Sequence, residues 1–184
     1  MARLVHELGS LDRPRLVAHY AALSAEDRRL RFGLAVSTEF LADYVAGMDF
    51  TRDQVFGIFG DAFELIAVGH MGRTGDVAEL GLSVLEAYRR EGLAKRLYTR
   101  ARQRATAQGR RALWIHFVAE NHAMARFTRE LGMDVKVSQG EADAHLALPA
   151  ASPLQVGLDL YQCQIDGLLG TWRGLLAPVD GRAA

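Results

Sequence analysis

Arg89, Arg90 and Lys95 surround Gly92 in the run Val84-Leu85-Glu86-Ala87-Tyr88-Arg89-Arg90-Glu91-Gly92-Leu93-Ala94-Lys95. An apolar strand pattern, Ala78 to Leu85, enters this turn, and a helical pattern from Gly92 to Gln108 leaves it. The first amides of a helix have no intrahelical acceptor and carry partial positive charge, so such a turn binds anions, a pyrophosphate above all. Cations at a helix start oppose the helix dipole, which favours an anion site over a merely solvated turn. Gly92 supplies the backbone freedom that a tight, phosphate-cradling turn needs.

Other residues able to do chemistry lie on either side. Strand alternation puts Val77, Glu79, Gly81 and Ser83 on one face and Ala78, Leu80, Leu82 and Val84 on the other. Glu79 is thus an acid on a strand face, which by itself reads as a polar residue on a wet face. Asn121 reads as a helix N-cap. His70, His116 and His122 have no metal-ligand spacing, and no metal is expected. His116 reads as a packed or hydrogen-bonded strand histidine. His70 ends a strand beside the cleft and is a weaker candidate for base or substrate contact. Cys163 lies on an apolar stretch and reads as buried and inert.

The elements that position these residues follow from periodicity and caps. Residues 3–8 suggest a first strand. Asp12, with Pro14 behind it, reads as the cap of a helix reaching Leu23. Ser24 opens a second helix ending at Phe32, with Gly33 as its stop, and Ser37 or Thr38 caps a third through Val45. Strands are expected over Gln54–Phe59, Phe63–His70 and Val77–Leu85, with a hairpin signal at Gly60-Asp61. The long helix ends near Gly109. A strand over Ala112–Val118, an Asn121-capped helix stopping at Gly132, and strands over Met133–Val137 and Ala144–Leu148 follow. Beyond Pro149 and Pro153, Leu158, Tyr161, Ile165, Leu168, Trp172 and Leu175 recur in steps of three and four. They mark an amphipathic helix despite Gly157, Gly167, Gly170 and Gly174, each costing about 1 kcal/mol against Ala. That helix can dock on the chain's own sheet or form a homodimer contact. Residues 179–184 read as a loose tail.

Composition excludes several classes. With 184 residues, 49% of them apolar, the chain can bury a real core. Lys plus Arg and Asp plus Glu both total 22, so the basic footprint of a dedicated nucleic-acid binder is missing. The lone Cys163 rules out an internal disulfide, no apolar run spans a bilayer, and the first residues do not resemble a signal peptide. A cytoplasmic location without membrane association is expected.

The strand, the R-x-x-G-x-A turn of Arg89, Gly92 and Ala94, the long helix, and Asn121 placed 11 positions before Gly132 together resemble the GNAT superfamily of acyl-CoA-dependent N-acetyltransferases. The resemblance covers roughly Gln54 to Leu148. The Leu-Ser-Ala-Glu-Asp-Arg-Arg-Leu-Arg-Phe segment, 23–32, is similar to the branch containing bacterial protein-lysine acetyltransferase domains. It implies a mixed, mostly antiparallel α/β (α+β) sheet flanked by helices in residues 1–150, with 151–184 an appended helix and tail. It implies acetyl-CoA as co-substrate. The pyrophosphate would lie on Arg89, Arg90, Glu91, Gly92, Leu93, Ala94 and Lys95, and the pantetheine arm along Leu82, Ser83 and Val84, with Asn121 touching CoA. Glu79 matches the general base of some members. The Tyr that protonates the leaving thiolate in many members is replaced by Thr128. The implied activity is acetyl transfer to a primary amine, on a protein lysine or a small molecule. The alternative is a CoA-binding sensor that has lost the chemistry.

Overall fold

Alternating side chains divide the strands between two cores. Phe56, Ile58, Ile66, Leu80 and Leu82 pack in one buried cluster, whereas Val55, Leu65 and Val68 pack in a second. A sheet with both faces apolar must be covered on both sides. The computed structural model, which describes residues 3–176 and side chains as far as Thr171, shows how.

Among the described residues the strands are β1 (Val5–Leu8), β2 (Gln54–Phe59), β3 (Leu65–Thr74), β4 (Val77–Val84), β5 (Ala112–Val118), β6 (Asp134–Ser138) and β7 (Glu141–Ala147). They form one sheet in the order β1-β2-β3-β4-β5-β7-β6. Every pairing is antiparallel except β4 with β5. The helices α1 (Arg13–Ala22), α2 (Ala25–Phe32) and α3 (Thr38–Ala46) contribute Leu16, Tyr20, Leu41 and Val45 to the second cluster. The helix α4 (Leu93–Ala107) covers the other face with Leu93, Leu97 and Ala101, near α5 (His122–Glu130). This is the expected mixed α/β architecture. No helix among the described residues is long and apolar enough to cross a membrane.

Local chemistry sets the boundaries. The Ser24 hydroxyl accepts from the Asp27 amide and the Ser37 hydroxyl from the Phe40 amide, so Ser37 rather than Thr38 caps α3. Gly33 ends α2 at φ +77°, and Gly132 follows α5 at φ +72°. Asp12 occupies the N-cap position of α1, but its side chain makes no capping hydrogen bond to that helix. Its carboxylate accepts from the Gly9 amide at 3.1 Å and closes a 3-10 turn, Ser10–Asp12.

The last helix, α6 (Pro153–Leu176), packs on α4 and β1 with the face opposite its apolar stripe. Asp159 (7% exposed) and Asp166 (5%) point inward, whereas Leu158 (60%) and Tyr161 (65%) face out. Asp159 bridges Arg100 and Arg104, and Glu7 joins both arginines from β1. His6 lies 3.5 Å from Asp166. Cys163 is half-buried within this network, its thiol pushed up by burial and by Glu7. Trp172, Leu175 and the tail lie outside the described side chains.

Beneath the helical block, buried His19 joins α1 to β4. Its Nδ1 lies 2.8 Å from the Leu65 carbonyl and must donate to it. Its Nε2 therefore accepts from the Ser83 hydroxyl, also at 2.8 Å. Burial lowers its pKa to about 4, against the pull of the Leu65 carbonyl and with a contribution from Arg31. Unfolded, His19 titrates near 6.5. Between those pH values only the unfolded chain binds the extra proton, so this stability is complete above about pH 6.5 and is lost as pH falls toward 4. We expect His19 to account for roughly 3 kcal/mol of acid destabilisation. Denaturant titrations from pH 7 to pH 4 should show a shallower loss in His19→Gln than in wild type. An identical pH slope would contradict the assignment.

Candidate functional site

The parallel pairing of β4 with β5 is short. It runs through Val77↔Ala112, Ala78↔Leu113 and Glu79↔Trp114, then stops. Beyond it β4 stays paired with β3 as far as Val84↔Ala67, and β5 stays paired with β7 as far as Val118↔Glu141. The two strands diverge while each remains held on its outer side. A wedge opens between Gly81–Val84 and Ile115–Phe117, and a cavity of about 310 Å³ occupies it.

Two further cavities adjoin the wedge. One, of about 360 Å³, is shared with the turn and is walled by Val84, Arg89, Gly92, Ala94, Phe127 and Leu131. The other, of about 440 Å³, opens toward α2 and α3 and includes Arg31, Tyr44, His70, Glu79, His116 and Glu141. Shared walls at Val84, Arg89 and Phe127 on one side, and at Arg31, Gly81 and His116 on the other, make one continuous groove.

At the turn, a 3-10 segment, Glu86–Tyr88, leads to Arg90 at φ +66° and Gly92 at φ +75°. Gly92 is the N-cap of α4, no side chain caps the helix, and no acidic residue lies in its first turn. The amides of Leu93, Ala94 and Lys95 therefore retain their capacity for an anion. A Cβ at Gly92 would meet nothing within 4 Å, so a side chain there would enter open space.

The side chains of the turn go separate ways. Arg90 and Lys95 are exposed. Arg89 pairs with Asp27 of α2, and Glu91 accepts from Arg3 at 3.0 Å. The Leu93 side chain is in the core. Glu91 and Leu93 therefore offer backbone rather than side-chain groups to a ligand. Asn121 caps α5 by accepting from the Met124 amide at 3.0 Å, and it lines the wedge. Leu82 faces the core, and Ser83 is tied to His19.

Glu79 is exposed within the 440 Å³ cavity, on the face that alternation assigns it. His70 lines the same cavity. The Tyr44 hydroxyl donates to its Nδ1 at 2.7 Å, and its Nε2 donates to Asp53 at 3.1 Å. Burial lowers the His70 pKa, with Asp53 opposing, so both ring nitrogens are occupied in the neutral form.

Sequence reasoning missed the position of His116. It is exposed, lines both the wedge and the 440 Å³ cavity, and donates from Nδ1 to Asp143 at 2.7 Å. Its pKa is raised, chiefly by that hydrogen bond, with burial opposing. The alternating pattern of β5 carried the signal, since it puts His116 on the face opposite Leu113, Ile115 and Phe117. Thr128 is buried, with its hydroxyl donating to the Met124 carbonyl at 3.0 Å, and so cannot serve as a general acid. Tyr88 donates to Glu64 at 3.0 Å, and burial raises the Tyr98 pKa in a cavity beside α6. The described residues contain no group of three or more His, Cys, Asp or Glu able to hold a metal.

A mixed sheet that opens between its parallel strands above an uncapped helix start is the arrangement of the acyl-CoA-dependent acyltransferase class. The chain matches the acetyltransferase (GNAT) family over residues 32–133, more than half its length, and belongs to that family. A search of curated proteins gives no match. Solved structures of the same fold include the GNAT domain of S. lividans PAT, at 21% identity and TM-score 0.63, covering 78% of this chain and 89% of that one. They also include the ribosomal-protein-S18-alanine N-acetyltransferase from Escherichia coli, at 18% identity and TM-score 0.62, covering 82% and 95%. A putative acetyltransferase from Salmonella typhimurium, with its cofactor acetyl-CoA, matches at 17% identity and TM-score 0.62, covering 83% and 97%.

The uncapped start of α4 generates a direct test. Gly92→Glu should weaken CoA binding at least tenfold by calorimetry, because it adds a carboxylate to the cradle. Gly92→Ala carries the same left-handed backbone cost, about 1 kcal/mol, without the charge, and should bind far better than Gly92→Glu. Equal affinities in the two variants would show that no anion sits there.

Proposed function

We propose that the protein transfers an acetyl group from acetyl-CoA to a primary amine by direct attack in a ternary complex. The observation that carries this reading is the termination of β4–β5 pairing at Glu79 and Trp114, with the turn at the far end of the wedge. Unpaired strand backbone at Leu82–Val84 can hold the amides of the pantetheine arm as an added strand would. The amides of Leu93, Ala94 and Lys95, with Arg90 and Lys95, hold the pyrophosphate, and Asn121 borders the arm. Backbone N–H groups in the wedge stabilise charge developing on the thioester oxygen. All these residues fall within 1–150, which we take as the acetyltransferase domain, with α6 appended to it.

Acetyl-CoA supplies an activated acyl carbon. An ammonium acceptor must first lose a proton, and Glu79 takes it, directly or through one water. The amine nitrogen then bonds to the carbonyl carbon as the carbon–sulfur bond breaks, and the sulfur leaves with the electron pair. The second proton lost from nitrogen passes to the thiolate. A thiol with a pKa near 8.5 needs no strong acid to leave. His116, held toward its charged form by Asp143, borders both acceptor and thioester and can return that proton.

Glu79→Gln should lower kcat about 100-fold, within the usual range for a lost general base, and leave CoA affinity unchanged. Free-thiol release with an amine panel and calorimetry with CoA measure the two quantities. Thr128 being unable to act as an acid favours one second reading, a CoA-binding sensor. Tight CoA binding without thiol release from any amine or peptide would select it.

We also propose a homodimer through the outward stripe of α6, because Leu158, Tyr161, Ile165 and Leu168 are exposed together. Light scattering should give a dimer mass that falls to the monomer in Leu158→Glu/Tyr161→Glu; a monomeric wild type would contradict the interface.

A further inference from the structure

Arg31 is a cation that borders both the wedge and the 440 Å³ cavity, and among the described residues it has no ion-pair partner. It leaves the last turn of α2 and lays its guanidinium against β4 at Gly81. A Cβ at residue 81 would fall 2.2 Å from Nη2 and 2.4 Å from Cζ, so this placement requires glycine there. Nη2 donates to the Tyr44 hydroxyl at 3.2 Å. Nε is shut away from solvent without an acceptor, and the guanidinium interacts directly with the buried, uncharged Tyr20 hydroxyl. The Phe32 ring lies 5.1 Å from Cζ.

No carboxylate among the described residues lies within ion-pair distance of the guanidinium, whose side-chain acceptor is the Tyr44 hydroxyl. From α1 come His19 and Tyr20 and from β3 His70, all neutral near pH 7, and from α3 comes the Tyr44 hydroxyl. Asp53 is bound to His70, Asp143 to His116, and Asp27 to Arg89. Glu79 and Glu141 border the same cavity, but among the described residues no carboxylate forms an ion pair with Arg31. An arginine cannot shed its proton to escape this position. A partly desolvated charge without a partner is costly, and a guanidinium fork pairs best with a planar carboxylate.

The CoA phosphates have their own donors at the turn, at the opposite end of the groove. Arg31 instead borders the acceptor cavity and its junction with the wedge. Gly81 and Glu79 are successive positions on one face of β4, roughly 7 Å apart along the strand. A small molecule can touch both. Building on the acetyltransferase reading, we propose that the acceptor is an amine that carries its own carboxylate, as an amino acid does. Arg31 binds the carboxylate and leaves the amine toward Glu79 and the thioester. A protein lysine side chain, with its amine far from any carboxylate, does not meet this requirement.

The test compares the standard α-amino acids with their carboxamides as acceptors, by thiol release from acetyl-CoA. At least one acid should exceed its amide about 100-fold in kcat/KM. That ratio should collapse toward one in Arg31→Gln and also in Gly81→Ala, which expels the guanidinium without removing it. Arg31→Lys should fall between. If no amine turns over, the acetyl-transfer reading fails by itself. Calorimetry with CoA-loaded protein then decides the present proposal by the same acid-to-amide ratio in affinity. Equal use and equal binding of acids and amides, or an Arg31→Gln defect of the same size for both, would overturn it.

Discussion

The rest of the structure depends on the parting of β4 from β5. Parallel pairing normally continues while both strands last, yet here three pairs form and then each strand keeps only its outer neighbour. The backbone groups that face the wedge must find water or a ligand, because unpaired strand edges do not bury well. The long antiparallel ladders β3–β4 and β5–β7 make the divergence affordable, since neither strand loses its support. The wedge is therefore an opening at the centre of the sheet with a paired strand on each side. The candidate site residues border it or the two cavities that adjoin it.

Helix α2 holds both lips of that wedge. It packs on β4 and on β5. Asp27, in its first turn, pairs with Arg89 beyond β4, while Arg29 reaches Glu120 beyond β5. Arg31, one turn on, lies against Gly81. Charged contacts at this degree of exposure contribute little each to stability. Their value is positional, since one short helix with no fully buried residue is fixed across the groove by pairs at both ends. The Asp27–Arg89 pair also links α2 to the turn, because Arg89 borders both the wedge and the cavity at the turn.

Features governed by local chemistry were legible in the sequence. Ser24, Ser37 and Asn121 act as caps, Gly33 and Gly132 as left-handed stops, and Gly92 as the left-handed entry to α4, all through neighbours within a few residues. The faces of β4 followed from its period of two. The point where β4–β5 pairing stops was not legible, because a parallel register depends on strands separated by a whole helix. Nor was the setting of His116: alternation gave its face, but only the fold brings Asp143 and the second cavity to it. Arg31 carried no signal of its own. Its meaning comes from Gly81, fifty residues away, and from the lack of a directly paired carboxylate among the described residues.

The helix α6 shows why periodicity can identify an amphipathic element and still misplace it. The apolar stripe through Leu158, Tyr161 and Ile165 implies that this is the face that docks. Yet α4 presents Arg100 and Arg104 on the side away from the core, and β1 adds Glu7 and His6. A surface of buried arginines cannot accept leucines without stranding its charges, and stranding a charge costs more than exposing an apolar side chain. Asp159 and Asp166, spaced seven apart on one face of α6, satisfy that surface. The orientation of α6 is therefore set by residues near 6 and 100 rather than by its own pattern. The stripe left outside is the cost of neutralising those arginines, and it leaves Leu158, Tyr161, Ile165 and Leu168 exposed along one face of α6.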